Sequence, residues 1–445
     1  MNQRLRILIM GAGGRDFHVF NTVYRGNSQT EVLAFTAAQI PHIEKRVYPP
    51  ELSGPLYPNG VPIRSESDLE EIIREQAIDR VVFAYSDVSF DFLEEMSKRV
   101  AATGAEFQTF DPEATLLEPS KPCIAVCAVR TGCGKSPFSR YLAANLQQLD
   151  INPGIIRHPM PYGNLSKQIV QRFATVDDLA VHQCTIEEME EYEPHIEQGN
   201  VVFAGTDYEK IVAAAEMESD VLLWDGGNND TPFIRPHLLI TLLDPLRAGD
   251  ELAYFPGKWN FEQADVLVIS KIDQATPEQL VILHNNIQAH NPEATVIEGR
   301  LSIDVPDAEA LQGKRVLVVE DGPTITHGGM AYGAGFLGCK SAGAELVDPR
   351  DYAVGEIAEA WQKYPHIGPV LPALGYGEGQ LKDLHDTIEK VPCDVVVFAT
   401  PIDLGRVVDI SQPTTQVTYS FEERGSAMLP TLLKQTLGSV AAGKS

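Results

Sequence analysis

The stretch V-R-T-G-C-G-K-S, which ends at Ser136, contains the residue types that bind nucleotide phosphates. The usual phosphate-binding loop is G-x-x-x-x-G-K-[ST], so a valine stands where its first glycine belongs. We expect backbone N–H groups around Gly132 and Gly134 to point at phosphate oxygens, at the positive end of the following helix. Lys135 is expected to reach the β- and γ-phosphates, and the Ser136 hydroxyl to bind Mg²⁺. The loop therefore predicts ATP or another nucleotide, with Mg²⁺, as cofactors.

The loop matches the shorter variant K-G-G-x-G-K-[ST] better than the usual pattern. Loops of that variant carry an extra cation, here Arg130, which can contact phosphates, including those of a nucleotide across a dimer. Arg130 is therefore a candidate catalytic residue, and a homodimer is a candidate assembly. The alternative interpretation is a glycine turn in which Lys and Ser occur by chance.

Two apolar strands end in residues that suit the metal and the base of a nucleotide. Asp225 ends "VLLWD", as a Walker B carboxylate does when it holds Mg²⁺ directly or through water. "SKID" resembles the base-reading N-K-x-D signature, in which the stem of Lys271 would cover the ring and Asp273 would bind guanine. Ser270 replaces the asparagine, so the choice between ATP and GTP stays open. The alternatives are an ordinary strand-end turn and a surface loop.

Three further segments carry residues suited to an anionic ligand. Arg247 lies in "DPLRAGDE", and Asp321 and His327 lie in the glycine-dense "VEDGPTITHGGMAYGAG". Glycine near Thr and His at a strand end favours close approach of the backbone to an anion. The third segment, "GAGGRDFH" after the first strand, lacks the third glycine of a dinucleotide fingerprint. It predicts either a site for a phosphorylated small molecule or a helix start capped by Asp16.

Composition limits the classes of partner and compartment. The 445 residues carry 35 Lys and Arg against 62 Asp and Glu, a net charge of −27, which argues against nucleic acid and anionic membranes as partners. The six cysteines are scattered, as expected of free thiols in a reducing cytosol. No stretch reads as a signal peptide or as an apolar run of about 18 residues. We therefore expect a cytoplasmic protein.

The elements that must position these residues read as alternating strands and helices. Near-continuous Val, Ile and Leu runs predict parallel strands covered on both faces, hence an α/β fold. We expect a Rossmann-like N-terminal domain over residues 1–118, a P-loop NTPase-like parallel α/β domain over 119–305, and a C-terminal α/β region over 306–445 that completes the second sheet. The predicted strands are 6–11, 32–37, 80–85, 123–129, 201–205, 221–226, 238–244, 265–270, 315–321 and 394–400.

Together, "MGAGGRDFHVFN", "VRTGCGKS", "DGGNND", "DPLRAGDE", "SKID" and "VEDGPTITHGGMAYGAG" resemble the cyclic 2,3-diphosphoglycerate synthetases, in the same order along most of the chain. The resemblance implies an ATP-dependent ligase that joins the two phosphates of 2,3-diphosphoglycerate into an intramolecular anhydride, releasing ADP and Pi. It implies that Lys135, Ser136 and Asp225 serve ATP and Mg²⁺. It also implies that Arg247, Asp321 and His327 lie near a small phosphorylated acid.

Two other functions fit parts of the same sequence. The variant loop and "SKID" also suit a regulatory or metallochaperone-type P-loop GTPase, and a non-enzymatic nucleotide sensor is a third possibility. The composition lacks the Lys and Glu enrichment of hyperthermophilic proteins, which favours a relative that acts on another substrate. Phosphate release from ATP and GTP, with and without diphosphoglycerate, separates these functions.

Overall fold

The protein is described by a computed structural model, and its sheets are largely parallel, which confirms the α/β class predicted from the sequence. No helix in the described part of the chain is long and apolar enough to cross a membrane. The described residues are 4–38, 46–158, 165–227, 230–326, 328–374, 378–402, 404–406 and 408–443.

The first sheet has the strand order β3-β4-β2-β1-β5-β7 and is parallel apart from the β3–β4 pair. Its strands, with β6 outside that sheet, are β1 (Leu5–Met10), β2 (Thr30–Ala37), β3 (Val47–Tyr48), β4 (Val61–Ser65), β5 (Arg80–Phe83), β6 (Val88–Ser89) and β7 (Glu106–Thr109). The helices of this region are α1 (Arg15–Val19), α2 (Pro50–Ser53), α3 (Leu69–Glu75) and α4 (Phe90–Ala101).

The second and largest sheet carries the phosphate-binding loop, because its central strand leads directly into that loop. The strands of this region are β8 (Cys123–Ala128), β9 (Pro153–Arg157), β10 (Gln171–Phe173), β11 (Val201–Ala204), β12 (Val221–Asp225), β13 (Leu238–Leu243), β14 (Tyr254–Phe255), β15 (Val266–Ile269) and β16 (Thr295–Asp304). The helices are α5 (Lys135–Gln148), α6 (Val176–Val181), α7 (Ile186–Glu197), α8 (Tyr208–Glu218), α9 (Asp250–Ala253), α10 (Gly257–Gln263) and α11 (Pro277–His290).

The last region forms a third, parallel sheet and also extends the second one. The strands are β17 (Arg315–Asp321), β18 (Glu345–Leu346), β19 (Leu371–Ala373), β20 (Val395–Ala399), β21 (Thr414–Gln416) and β22 (Thr418–Glu423). The helices are α12 (Ala308–Leu311), α13 (Gly322–Ile325), α14 (Ala334–Ser341), α15 (Gly355–Lys363), α16 (Glu378–Lys390) and α17 (Leu429–Gly443). Strand β22 pairs antiparallel with β16, so the second sheet runs β10-β11-β9-β12-β8-β13-β15-β16-β22.

Parallel pairing places the functional segments at one edge of the second sheet. Strands β9, β12, β8, β13 and β15 are parallel neighbours, so their carboxyl ends lie side by side. In open α/β sheets, ligands bind outside these ends. The loop after β8, the last residues of β9 and β12, and the segments after β13 and β15 therefore meet at one place.

Candidate active site: a phosphate-binding loop facing a wall of carboxylates

The phosphate-binding loop has the strand–turn–helix form that its function requires. Strand β8 is fully buried, and helix α5 begins at Lys135 directly after the turn. Gly132 has φ 82° and Gly134 has φ 89°, in the left-handed region where other residues are strained. Lys135 and Ser136 line a cavity in front of the turn. The arrangement supports the prediction that this loop receives phosphates.

Asp225 lies beside the loop, where its two oxygens bind different partners. The Lys135 ammonium lies 2.6 Å from Oδ1, and the Arg157 guanidinium lies 2.6 Å from Oδ2. Burial alone would raise the pKa of Asp225, but the Arg157 and Lys135 cations hold it well below its usual range. His195 Nε2 also lies 3.2 Å from Oδ2, where a neutral imidazole can donate a hydrogen bond. Burial lowers the His195 pKa below its ordinary value, against the raising effect of Asp225.

Arg157 and His195 were not identified from the sequence. Arg157 is the last residue of β9, which escaped detection, and its side chain is 1% exposed. It also pairs with Glu191 of α7, and together Asp225 and Glu191 raise its pKa against the opposing effect of burial. The signal in the sequence that could have identified Arg157 is its position directly after the apolar run "GII", at the end of a strand.

Arg130 is held by carboxylates of two different regions. Its Nε donates to Asp87 at 2.8 Å, and its Nη1 donates to Asp250 at 2.7 Å. The guanidinium carbon lies 3.7 Å from the centroid of the Tyr254 ring. Asp87 comes from the first region and also accepts hydrogen bonds from the Thr131 N–H and hydroxyl. The predicted contact of Arg130 with phosphates stays a prediction, since Arg130 lines the cavity while Asp87 and Asp250 accept two of its five N–H donors.

We expect Arg130→Met to loosen the junction between the first two regions and to change nucleotide affinity little. The substitution leaves Asp87 and Asp250 without their cation, a loss of about 1–3 kcal/mol for partly buried groups. A lowered denaturation midpoint with a nucleotide Kd within about threefold of wild type is the expected result. A tenfold or greater rise in Kd would instead support direct contact with phosphate.

Arg247 and Lys271 hold the backbone of the phosphate-binding loop through hydrogen bonds to its carbonyl groups. Arg247 donates to the Thr131 carbonyl at 2.7 Å and to the Gly328 carbonyl at 2.8 Å, and it pairs with Asp244. Lys271 donates to the Gly132 carbonyl at 2.6 Å and to Asp244 at 2.9 Å. Arg247 thus joins the loop to the segment after β17. The sequence had predicted that Arg247 lies near the substrate. Among the described residues that line the cavity, Lys271 is present and Arg247 is absent.

The remaining predicted residues lie in three different situations. Asp321 lines the cavity and caps α13, accepting hydrogen bonds from the Thr324 N–H and hydroxyl. Asp273 is exposed and does not belong to the described cavity lining, so the structure gives no support for its contact with a base. His327 lies outside the described residues.

The glycine turn of the first region is closed by its own carboxylate. Asp16 accepts hydrogen bonds of 2.7–3.0 Å from the N–H groups of Gly13, Gly14 and Phe17, the donors that a phosphate would need. Arg15 is buried and donates to Asp230 at 2.8 Å and to the Thr231 hydroxyl at 2.6 Å. Asp16 thus occupies the donors of the predicted anion site, but it is the second residue of α1 and not its N-cap, which is Gly14. Arg15 joins the first region to the second.

A cavity of about 1450 Å³ opens in front of the loop and is lined by all three regions. Its volume exceeds the roughly 300–1,000 Å³ of ordinary small-molecule pockets, which leaves room for a nucleotide and a second substrate. Among the described lining residues, ten are Asp or Glu and five are Lys or Arg. The cavity is therefore anionic outside the immediate surroundings of the loop.

Much of that negative charge lies in one place, which we call the carboxylate wall. Burial raises the pKa of Glu320 to about 7, against hydrogen bonds from backbone N–H groups including that of Phe336. Burial also raises the pKa of Asp321 and, with the neighbouring carboxylates, that of Glu190. The wall consists of Glu187, Glu190 and Glu191 on α7 and of Glu320 and Asp321 at the end of β17.

The described residues contain no cluster of three or more His, Cys, Asp or Glu that could hold a metal ion. Ser136 lines the cavity and remains the predicted Mg²⁺ ligand. Asp225, which was also predicted for Mg²⁺, has its two carboxylate oxygens in ion pairs with Lys135 and Arg157.

Comparison with curated proteins gives one informative relative. The chain is 54% identical, over 434 residues, to the arginine synthetase ArcE of Thermococcus kodakarensis, and the alignment covers 97% of each chain. The chain belongs to the ArcE family. No family model matches the sequence. The name of this ArcE protein differs from the predicted family, so the resemblance to cyclic 2,3-diphosphoglycerate synthetases is not confirmed beyond the shared term synthetase.

Solved structures resemble the chain only weakly. LpxK from Aquifex aeolicus, in complex with ATP, has a TM-score of 0.41 and 13% identity, and covers 83% of this chain and 99% of its own. The murein peptide ligase MPL from Neisseria meningitides has a TM-score of 0.28 and 13% identity, and covers 69% of this chain and 82% of its own. At these scores the likenesses add nothing to what the ArcE family and the geometry indicate.

Proposed function

We propose that this protein is an ATP-dependent ligase that forms arginine. The observation that carries the proposal is the cavity in which the phosphate-binding loop and the carboxylate wall share one space. The loop end suits the phosphates of ATP, and the wall suits a cationic product. Arginine is cationic at every ordinary pH, and the ArcE relative is named as an arginine synthetase.

The chemistry follows from the structure of the product. A guanidinium carbon bears three nitrogens, and a ureido carbon bears two nitrogens and one oxygen. Transfer of the γ-phosphoryl group to the ureido oxygen releases ADP and makes that oxygen a leaving group. Attack of ammonia on the carbon then expels phosphate and forms the third C–N bond. L-Citrulline is the ureido amino acid that differs from arginine by this one atom.

The residues of the loop suit the first of these steps. Lys135 must leave Asp225 to reach the phosphates, and Arg157 and His195 then remain to hold the Asp225 carboxylate. Mg²⁺ bound with ATP would neutralise charge on the phosphates, with Ser136 as its expected protein ligand. The protein itself supplies position and electrostatic stabilisation.

Formation of arginine is the direct test. With ATP, Mg²⁺, L-citrulline and ammonium, we expect stoichiometric arginine, ADP and Pi, measured by amino-acid chromatography and phosphate release. Replacement of ATP by GTP should slow the reaction, since Asp273 lies outside the described lining. ATP consumption that is indifferent to citrulline would contradict the proposal.

The reaction first predicted from the motifs remains the competing candidate. Formation of cyclic 2,3-diphosphoglycerate would bring a strongly anionic acid into a cavity that already holds the carboxylate wall, and like charges at short range oppose such binding. The motif segments are the observation in its favour. Phosphorus NMR of a parallel reaction with 2,3-diphosphoglycerate distinguishes the two, since only the anhydride reaction gives a new anhydride resonance.

A further inference from the structure

Glu190 is a buried carboxylate whose charge is not neutralised by any neighbour among the described residues. It lies on α7, lines the cavity, and is 9% exposed. Within the described part of the chain, no hydrogen bond or ion pair reaches its side chain. Burying a carboxylate without a partner is costly, so such groups are normally paired, protonated or reserved for a ligand.

The neighbours of Glu190 increase this cost rather than relieve it. Burial, and then the charges of Asp321, Glu187 and Glu191, raise its pKa well above the ordinary range. Of these three, Glu191 has a cationic partner in Arg157, and Asp321 accepts hydrogen bonds from Thr324. Repulsion among these carboxylates destabilises the fold, and a neutral residue at position 190 would remove the part that Glu190 contributes. The stability of the fold therefore does not explain the presence of Glu190.

We propose that Glu190, with Asp321 beside it, binds the guanidinium group of arginine in the cavity. The ligand class rests on the proposed function, but the site rests on the geometry of α7 and β17. A carboxylate accepts two parallel N–H groups from a guanidinium, and the pairing is strongest where water is excluded. Because the positive charge of this group develops during C–N bond formation, the same contact would favour the reaction as well as the product.

The test is calorimetric binding without ATP, using L-arginine and its neutral counterpart L-citrulline as probes. For wild type we expect arginine to bind more tightly than citrulline. Glu190→Gln should weaken arginine binding by about 10- to 100-fold, the range for a charge-assisted hydrogen bond. Citrulline binding should stay within about threefold, because its ureido group gains little from a carboxylate. Glu359→Gln is the matched control, since Glu359 lines the same cavity from exposed positions of α15.

Thermal unfolding gives a second and independent readout. Because Glu190 has a raised pKa in the folded protein, its ionised form destabilises the fold at neutral pH. Glu190→Gln should therefore unfold at a higher temperature than wild type in the absence of ligand, and arginine should stabilise wild type more than the variant. A residue that merely maintains the fold would give the opposite change.

The outcomes separate the site from the overall reaction. Equal arginine affinity in wild type and Glu190→Gln, or equal affinity of wild type for arginine and citrulline, would overturn the site. Arginine binding that depends on Glu190, in a protein that makes no arginine from citrulline, would keep the site and reject the proposed function. Arginine synthesis with unchanged kinetics in Glu190→Gln would keep the function and reject the site.

Discussion

Lys135→Ala is expected to reduce ATP turnover by about 10²- to 10³-fold, the usual effect of removing one preorganised group that stabilises developing charge. Lys135 begins α5 at the edge of the cavity, and its ammonium is the one cation that can move from Asp225 to the phosphates. Arg157 forms ion pairs with two carboxylates, those of Glu191 and Asp225, and would have to break them to reach a phosphate. Removing Lys135 would therefore leave the γ-phosphate without the protein cation that we propose for it.

The fold should survive this substitution. Asp225 keeps Arg157 and His195 as partners, so no buried carboxylate is left alone. Turnover is measured as ADP and Pi release, and folding as the far-ultraviolet spectrum and unfolding midpoint. Lys98→Ala is a suitable control, because Lys98 is exposed and its ion pair is with Glu94, one helical turn away. Wild-type phosphate release by a folded Lys135→Ala protein would reject the loop as the site of ATP chemistry.

Arg157→Met should destabilise the protein by about 3–5 kcal/mol, the usual cost of leaving a buried charge without its partner. In this variant Glu191 loses its cation, and Asp225, which is 0% exposed, keeps Lys135 at Oδ1 but loses the cation at Oδ2. Methionine fills a similar volume, so the loss reflects charge rather than a cavity. The measurement is the shift in the denaturant midpoint at neutral pH.

A double variant isolates the interaction responsible. Adding Asp225→Asn to Arg157→Met removes the negative charge at Asp225 and should restore part of the stability, while Glu191 still lacks its cation. Arg172→Met supplies the contrast, because Arg172 makes a geometrically good but exposed pair with Glu218, which is worth about 0–1 kcal/mol. If Arg157→Met were no more damaging than Arg172→Met, Arg157 would not be the fixed counter-ion of Asp225.

Local patterns in the sequence were sufficient to predict the fold class and the loop. A buried apolar run followed by a glycine turn and a helix has a single common outcome, and the predicted segment 123–129 is strand β8 of the structure. The same is true of "VLLWD", which is strand β12 and ends at Asp225. The sequence analysis placed Asp225 near the loop as a Walker B carboxylate, with Lys135 and Asp225 both serving ATP and Mg²⁺. The structure places them 2.6 Å apart.

The sequence alone thus determined the part of the site around the phosphate-binding loop, because the residues of that part lie in short contiguous segments. The position of the carboxylate wall was decided only by tertiary structure. Helix α7 has six glutamates in twelve residues and reads as a solvated surface helix, yet its packing turns Glu190 into the cavity opposite Asp321. Likewise, the partners of Arg130 and Arg157 come from distant segments. Charge pairing over such separations leaves no periodicity in a sequence, because it depends on which surfaces the folded sheets bring together.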